Sequence, residues 1–146
     1  MPLIPDTGVF LKSLAALPLA NYQPGEIVLA AGSKTGRLLI LRKGAVAIIK
    51  EGIEIARVTE PGAVFGELSA LLDQPHTADV RALAPSQFHV ADAVALLTQD
   101  PVALLYVAAV LARRLDGTNQ ALIDLKSHLQ VGQKTVEKIE QLIGGI

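Results

Sequence analysis

The run "FGELSALLDQPHTADVRA", residues 65–82, changes character three times within a short span. It opens on Phe65-Gly66-Glu67, where Gly66 allows a tight turn and Glu67 begins a single helical turn whose dipole favours a carboxylate. Pro75 ends that turn. An extended run with alternating polar residues follows as far as Ala82. The plain reading is a turn glycine followed by a solvated glutamate. A functional reading also fits. Gly66 would let backbone approach a ligand, the N–H groups of Glu67, Leu68 and Ser69 would donate to a small anion, and Glu67 would accept from hydroxyl groups.

Outward from this run, the chain between Tyr22 and Val90 is broken by Gly or Pro every few residues, with short apolar runs between the breaks. Six read as strands: "EIVLAA", "RLLILRKG", "AVAIIKEG", "EIARVTE", "ADVRALA" and "QFHVAD". Many short strands with frequent turn signals predict an antiparallel roll, barrel or sandwich. No helix of 10–15 residues alternates with them, which argues against a doubly wound parallel sheet.

Helices flank this region. Residues 7–17 read as a short amphipathic helix capped by Asp6 or Thr7, with Val9, Leu14 and Leu17 on its apolar side and Pro18 as its stop. Asp92 to Thr98 predicts a second short helix. Asp100-Pro101 is a strong restart, a capping residue followed by proline at the first helical position. From there a helix is expected to about Leu129. Leu104, Ala108, Leu111, Leu115, Thr118, Leu122, Leu125 and Leu129 follow each other in steps of four and three, a heptad seam with one polar interruption at Thr118. A roll of about 70 residues cannot cover a helix roughly 40 Å long. Its first turns are expected against the roll and the remainder in a parallel homodimer. Val131-Gly132 is expected to end it, and "KTVEKIEQLI" to form a last short helix with Val136, Ile139, Leu142 and Ile143 on one side. The expected organisation is one domain over residues 1–130 and a helical extension over 131–146.

Composition narrows the function. Hydrophobic residues make up 51% of the 146 and aromatics only 3%, so the core must be aliphatic. The net charge of -1 supplies no broad basic face for nucleic acid. With no cysteine there are no disulfides, thiolate metal sites or cysteine nucleophiles. The N-terminus lacks the basic region of a signal peptide. The longest apolar run, Pro101 to Ala112, is about half of what a membrane span needs. A cytoplasmic protein with no membrane contact is the expectation.

The stretch from about Tyr22 to Ala82 resembles the cyclic nucleotide-binding domain, the module shared by catabolite-activator-type regulators, cyclic-nucleotide-dependent kinases and gated channels. "YQPGEIVLAAG" is similar to that family's opening strand pair, and "LLILRKGAVAIIKEG" to its hairpin with a glycine before each turn. "FGELSALLDQPHTADVRA" is similar to its phosphate-binding cassette, and the flanking helices also fit. The resemblance implies a mainly β fold, an antiparallel jelly-roll-like β-roll with a short N-terminal and a long C-terminal helix. It implies cyclic AMP or cyclic GMP as ligand. Glu67 would hold the ribose 2′-hydroxyl, the backbone N–H groups after Gly66 would contact ribose and phosphate, and Thr77 would reach a phosphate oxygen. Val58 and Leu68 would support the purine, with Arg113, Arg114, Thr118 or Asn119 as its cover.

His76 departs from the pattern, because the resemblance places an arginine there. A guanidinium grips a phosphate with two parallel charge-assisted bonds and keeps its charge. Imidazole offers one, charged only below a pKa near 6.5 unless the site raises it. Losing one charged hydrogen bond costs about 1.5–3 kcal/mol, roughly ten- to a hundred-and-fifty-fold in affinity. A weakened site is expected, with affinity rising as pH falls. Arg81 is a weaker candidate, as an ion-pair partner of Glu67. The alternative is a degenerate domain that no longer binds nucleotide and serves as a dimerisation or protein-interaction scaffold.

Catalysis is not expected. The histidines stand alone at 76, 89 and 128, without the ligand spacing of a metal-binding roll, and no nucleophile is paired with a base. About 16 residues follow Gln130, too few for a helix-turn-helix domain. Any output is therefore expected to pass to a separate protein effector.

Overall fold

The computed structural model describes residues 6–144; residues 1–5 and 145–146, which the expected domain limits included, lie outside them, as do the side chains of Val131 and Ile143. Among the described residues, eight strands form two four-stranded antiparallel sheets. The first has the order β1 (Leu19–Tyr22), β8 (Ser86–Asp92), β3 (Arg37–Lys43), β6 (Val64–Phe65). The second has the order β2 (Ile27–Leu29), β7 (Asp79–Ala82), β4 (Val46–Lys50), β5 (Ile53–Val58). The chain thus folds as the expected antiparallel β-roll with flanking helices.

All six expected strands are present. The two unexpected ones are short. β1 follows directly on Pro18, carries the polar Asn21, and is defined by its pairing with β8, Leu19 opposite His89. β6 is only two residues long and exists by pairing with β3. Neither has enough residues to show a period of its own.

Side chains of Leu29, Leu39, Leu41, Phe65, Val80 and Phe88 meet between the sheets in an apolar cluster. The aromatic members are set edge to face, Phe65 on Phe88 and Tyr22 on Phe88. On β3, Leu38 and Ile40 point the other way yet are also fully buried. The outer face of this sheet must therefore be covered, and α1 (Thr7–Ser13) with Leu14 just after it, α3 (Ala93–Gln99) and the start of α4 (Pro101–Gly144) supply buried Phe10, Leu14, Leu97, Ala103, Tyr106 and Val107. Phe10 stacks on Tyr106 with ring centroids 3.8 Å apart, and the Tyr106 hydroxyl donates to the Gly62 carbonyl at 2.9 Å.

α1 begins as expected, with the Asp6 carboxylate accepting from the Gly8 and Val9 N–H groups. It ends at Ser13 rather than Leu17, and residues 14–17 continue as tighter turns toward Pro18. The buried position is Phe10, with Val9 exposed. α3 and α4 are both capped by aspartates, Asp92 and Asp100.

α4 differs from the expected pair of helices. It runs unbroken through Val131-Gly132 to Gly144. A lone glycine costs only about 1 kcal/mol in a helix, and no proline follows to stop it. The seam continues in phase, since Gly132, Val136 and Ile139 follow Leu129 in steps of three, four and three. The chain divides into two compact units, residues 1–108 and 109–146. In the first, α4 packs through Ala103, Tyr106 and Val107, while the seam residues Leu104 and Ala108 stay exposed. The second consists of the rest of the helix, and its seam residues Leu115, Leu122, Leu125 and Leu129 are all exposed. No single helix among the described residues is long and apolar enough to cross a membrane.

Candidate functional site

The chain leaves β6 at Gly66 with φ 93° and ψ 0°, a left-handed conformation that side chains strain to adopt. A Cβ on Gly66 would lie 2.4 Å from the carbonyl oxygen of Arg37, so space excludes a side chain as well. This turn starts α2 (Glu67–Leu72), and its N-cap Gly66 has no side chain to cap the helix. Asp73, itself left-handed at φ 50°, ends the helix. Residues 74–78 then lead into β7.

The expected site residues do not all behave alike. Glu67 is 4% exposed and His76 6% exposed, so both are turned inward. The His76 Cε1 lies 3.5 Å from where a Gly66 Cβ would sit. Gly66, Glu67 and His76 therefore form one cluster. The Ser69 hydroxyl donates to the Gln74 carbonyl, closing the helix onto the loop that follows it. Its side chain is structural. Leu68 and Thr77 are exposed at the edge of the cluster. Arg81 lies exposed on β7 between the buried Val80 and Ala82, on the opposite side of the strand. Val58 is half-buried against the core between the sheets.

Sequence reasoning missed the segment that holds the cassette. The Asp79 carboxylate accepts from the Ala31 N–H at 2.7 Å. The His76 N–H donates to the Ser33 carbonyl, and the His76 carbonyl accepts from the Gly32 N–H, both at 2.8 Å. Lys34 pairs with Asp73 at the surface, and holds that carboxyl below the usual carboxylate range. Thr35 Oγ1 and His76 Nε2 share a hydrogen bond of 2.9 Å. Thr35 stands 41 residues before His76, and no spacing rule connects the two.

From Thr35 the contacts continue. The Arg37 N–H donates to Thr35 Oγ1 at 3.3 Å. The Gly36 carbonyl accepts from the N–H of Ala93, the first residue of α3, at 2.9 Å. A short covalent step from Thr35 to Gly36 therefore joins the cassette histidine to the start of α3.

The charge state of His76 follows from its burial. Desolvation pushes the ring below the usual imidazole pKa, and the Glu67 carboxylate pulls in the opposite direction without cancelling it. The ring is therefore neutral before any ligand arrives, and the expected rise of affinity at low pH would come from a phosphodiester that draws a proton onto it. His76 here is a neutral, buried ring with one nitrogen already bonded to Thr35. Among the described residues, no group of three or more His, Asp or Glu is placed to hold a metal ion.

The chain is similar to known proteins. Residues 19–99 match the sequence profile of the cyclic nucleotide-binding domain. The chain is 34% identical over 71 residues to a cGMP-dependent protein kinase of Eimeria tenella, a match covering 49% of this chain and 7% of the kinase. Its fold is similar to the catabolite activator protein of Thermus thermophilus, with a TM-score of 0.67 at 24% identity over 85% of this chain and 61% of that one. It is also similar to a regulatory subunit of a cAMP-independent protein kinase A from Trypanosoma cruzi bound to guanosine. There the TM-score is 0.52 at 30% identity, over 56% of this chain and 29% of that one. The chain thus spans a small part of the kinase it matches and under two thirds of either structure.

Proposed function

The chain belongs to the cyclic nucleotide-binding domain family, and on that premise we propose that it is a non-catalytic sensor that binds cyclic AMP or cyclic GMP at Gly66–Thr77. The single observation that carries this reading is the inward-facing Glu67–His76 pair beneath a glycine that admits no side chain. Glu67 accepts from the ribose 2′-hydroxyl. The backbone N–H groups of Glu67, Leu68 and Ser69 approach the ribose and phosphate, and the exposed Thr77 meets a phosphate oxygen. His76 contributes weakly, because a neutral ring already bonded to Thr35 supplies at most one further hydrogen bond to the phosphodiester.

The route of output follows from the same contacts. A phosphate that draws His76 toward itself loosens the bond to Thr35, and Thr35 adjoins the carbonyl on which α3 begins. Ligand binding shifts helix position only if the ligand binds the two arrangements unequally, and the His76–Thr35 bond is the contact that differs between them. The change passes along α3 and α4 to a separate protein effector. The exposed leucine seam of α4 joins two copies in a parallel homodimer.

A second reading has its own support. With His76 neutral and engaged, the pocket is better suited to a ligand without a phosphate, and the Trypanosoma cruzi relative is bound to guanosine. Calorimetric titration with cyclic AMP, cyclic GMP, adenosine and guanosine separates the readings. Tighter binding of a cyclic nucleotide than of its nucleoside supports the sensor. Equal binding supports a nucleoside site, and absence of all binding leaves the scaffold reading, in which the domain serves α4.

A further inference from the structure

A separate cavity of about 420 Å³ lies on the other side of the first sheet, between α1 and strands β1, β8 and β3. It is lined by Leu11, Lys12, Ala15, Leu19, Arg42 and His89, none of which belongs to the cassette. Three of these are basic and three apolar. The volume falls within the range of small-molecule sites, about 300–1,000 Å³.

Three further observations concern its charge. Lys12 and Arg42 form no ion pair among the described residues. Arg42 is oriented by Gln87, to which its Nη1 donates, and Gln87 in turn donates to Asn21 at 3.1 Å. This row of polar side chains fixes the guanidinium beside His89. The His89 ring is 6% exposed, and its Nδ1 has no hydrogen-bond partner, a costly state for a buried polar atom. Burial, and to a smaller extent the Arg42 charge, keeps the imidazole below its ordinary pKa.

We propose that this cavity binds a small organic oxyanion, a carboxylate or phosphate monoester on a short aliphatic body. Arg42 and Lys12 hold the oxyanion, and Leu11, Ala15 and Leu19 cover the body. An anion there compensates two uncompensated cations at once. It also opposes the disadvantage that Arg42 imposes on a charged His89. Among the described residues that line the cavity with His89, those that titrate or carry charge are Lys12 from α1 and Arg42 from β3.

The test uses isotope-labelled full-length protein, with hexyl phosphate, hexanoate and the neutral hexanol as probes. Amide and methyl resonances of Leu11 and Leu19 and the ring nitrogens of His89 are followed by NMR. Saturable shifts with either anion, and far weaker ones with hexanol, are expected. Lys12→Ala and Arg42→Gln, both at exposed positions, should each weaken binding by roughly tenfold, as the loss of one charged hydrogen bond requires. Comparing the two anions decides between a carboxylate and a phosphate head. Hexanol binding as tightly as the anions, anion binding unaffected by both substitutions, or shifts confined to residues 66–77 would each overturn the proposal.

Discussion

Replacing His76 with arginine tests the account where it departs from its family. The gain is a second parallel charge-assisted hydrogen bond to the phosphodiester and a charge that does not titrate. That is worth about 1.5–3 kcal/mol, or roughly ten- to a hundred-and-fifty-fold in affinity. The losses are smaller. The bond to Thr35 Oγ1 contributes about 0.5–1.5 kcal/mol, and a guanidinium with five donors recovers part of it. The longer arginine side chain reaches beyond the position of the buried ring. Extended toward the ligand, it has Glu67 close enough to offset its buried charge. The expected result in calorimetry at pH 7.5 is a cyclic nucleotide bound at least tenfold more tightly by His76→Arg. Adenosine and guanosine binding should be unchanged, and the melting temperature lowered by only a few degrees. A folded variant with no gain for the cyclic nucleotide, or an equal gain for the nucleosides, refutes the placement of the phosphate beside residue 76.

Other expectations follow from single contacts. Gly66→Ala combines a left-handed residue, about 1–2 kcal/mol, with a Cβ pressed on the Arg37 carbonyl. It should lower the melting temperature by at least about 5 °C, given roughly 2–4 °C per kcal/mol for a chain of this size; an unchanged value would contradict the turn geometry. Both His76 and His89 have folded pKa values below the ordinary imidazole value. Below pH about 6.5 the unfolded chain therefore binds more protons than the folded one, and stability must fall with acidification. Thermal melts from pH 7.5 to 5 should show this decline, and it should be shallower in His89→Gln; a flat profile in the wild type would contradict it. Leu122→Lys with Leu125→Lys places charges in the exposed seam of α4. Sedimentation should show a dimer for the wild type and a monomer for this variant, and a monomer in both would remove the proposed dimer.

How far the sequence could be read depended on the range of the interactions involved. The longer strands were legible because each lies between its own turn residues, and the cassette because Gly66, Glu67 and His76 share one short stretch. β1 and β6 were not, since their strand character comes from the partners β8 and β3. Phe10 was overlooked in favour of Val9, because the apolar face of so short a helix is set by what covers it, here Tyr106. Gly132 was given the force of a helix stop, although the seam passes through it in phase. At the site, the sequence identified the histidine but not its environment. Burial keeps that ring neutral, and its hydrogen-bond partner Thr35 stands 41 residues away along the chain.

The most direct test of the central claim is the backbone amide spectrum of the labelled protein, recorded with and without cyclic AMP and cyclic GMP. Binding as described predicts shifts at Gly66 to Ser69 and at His76 and Thr77, accompanied by shifts at Thr35, Gly36 and Ala93. A spectrum unmoved at residues 66–77 by either nucleotide at millimolar concentration would contradict it.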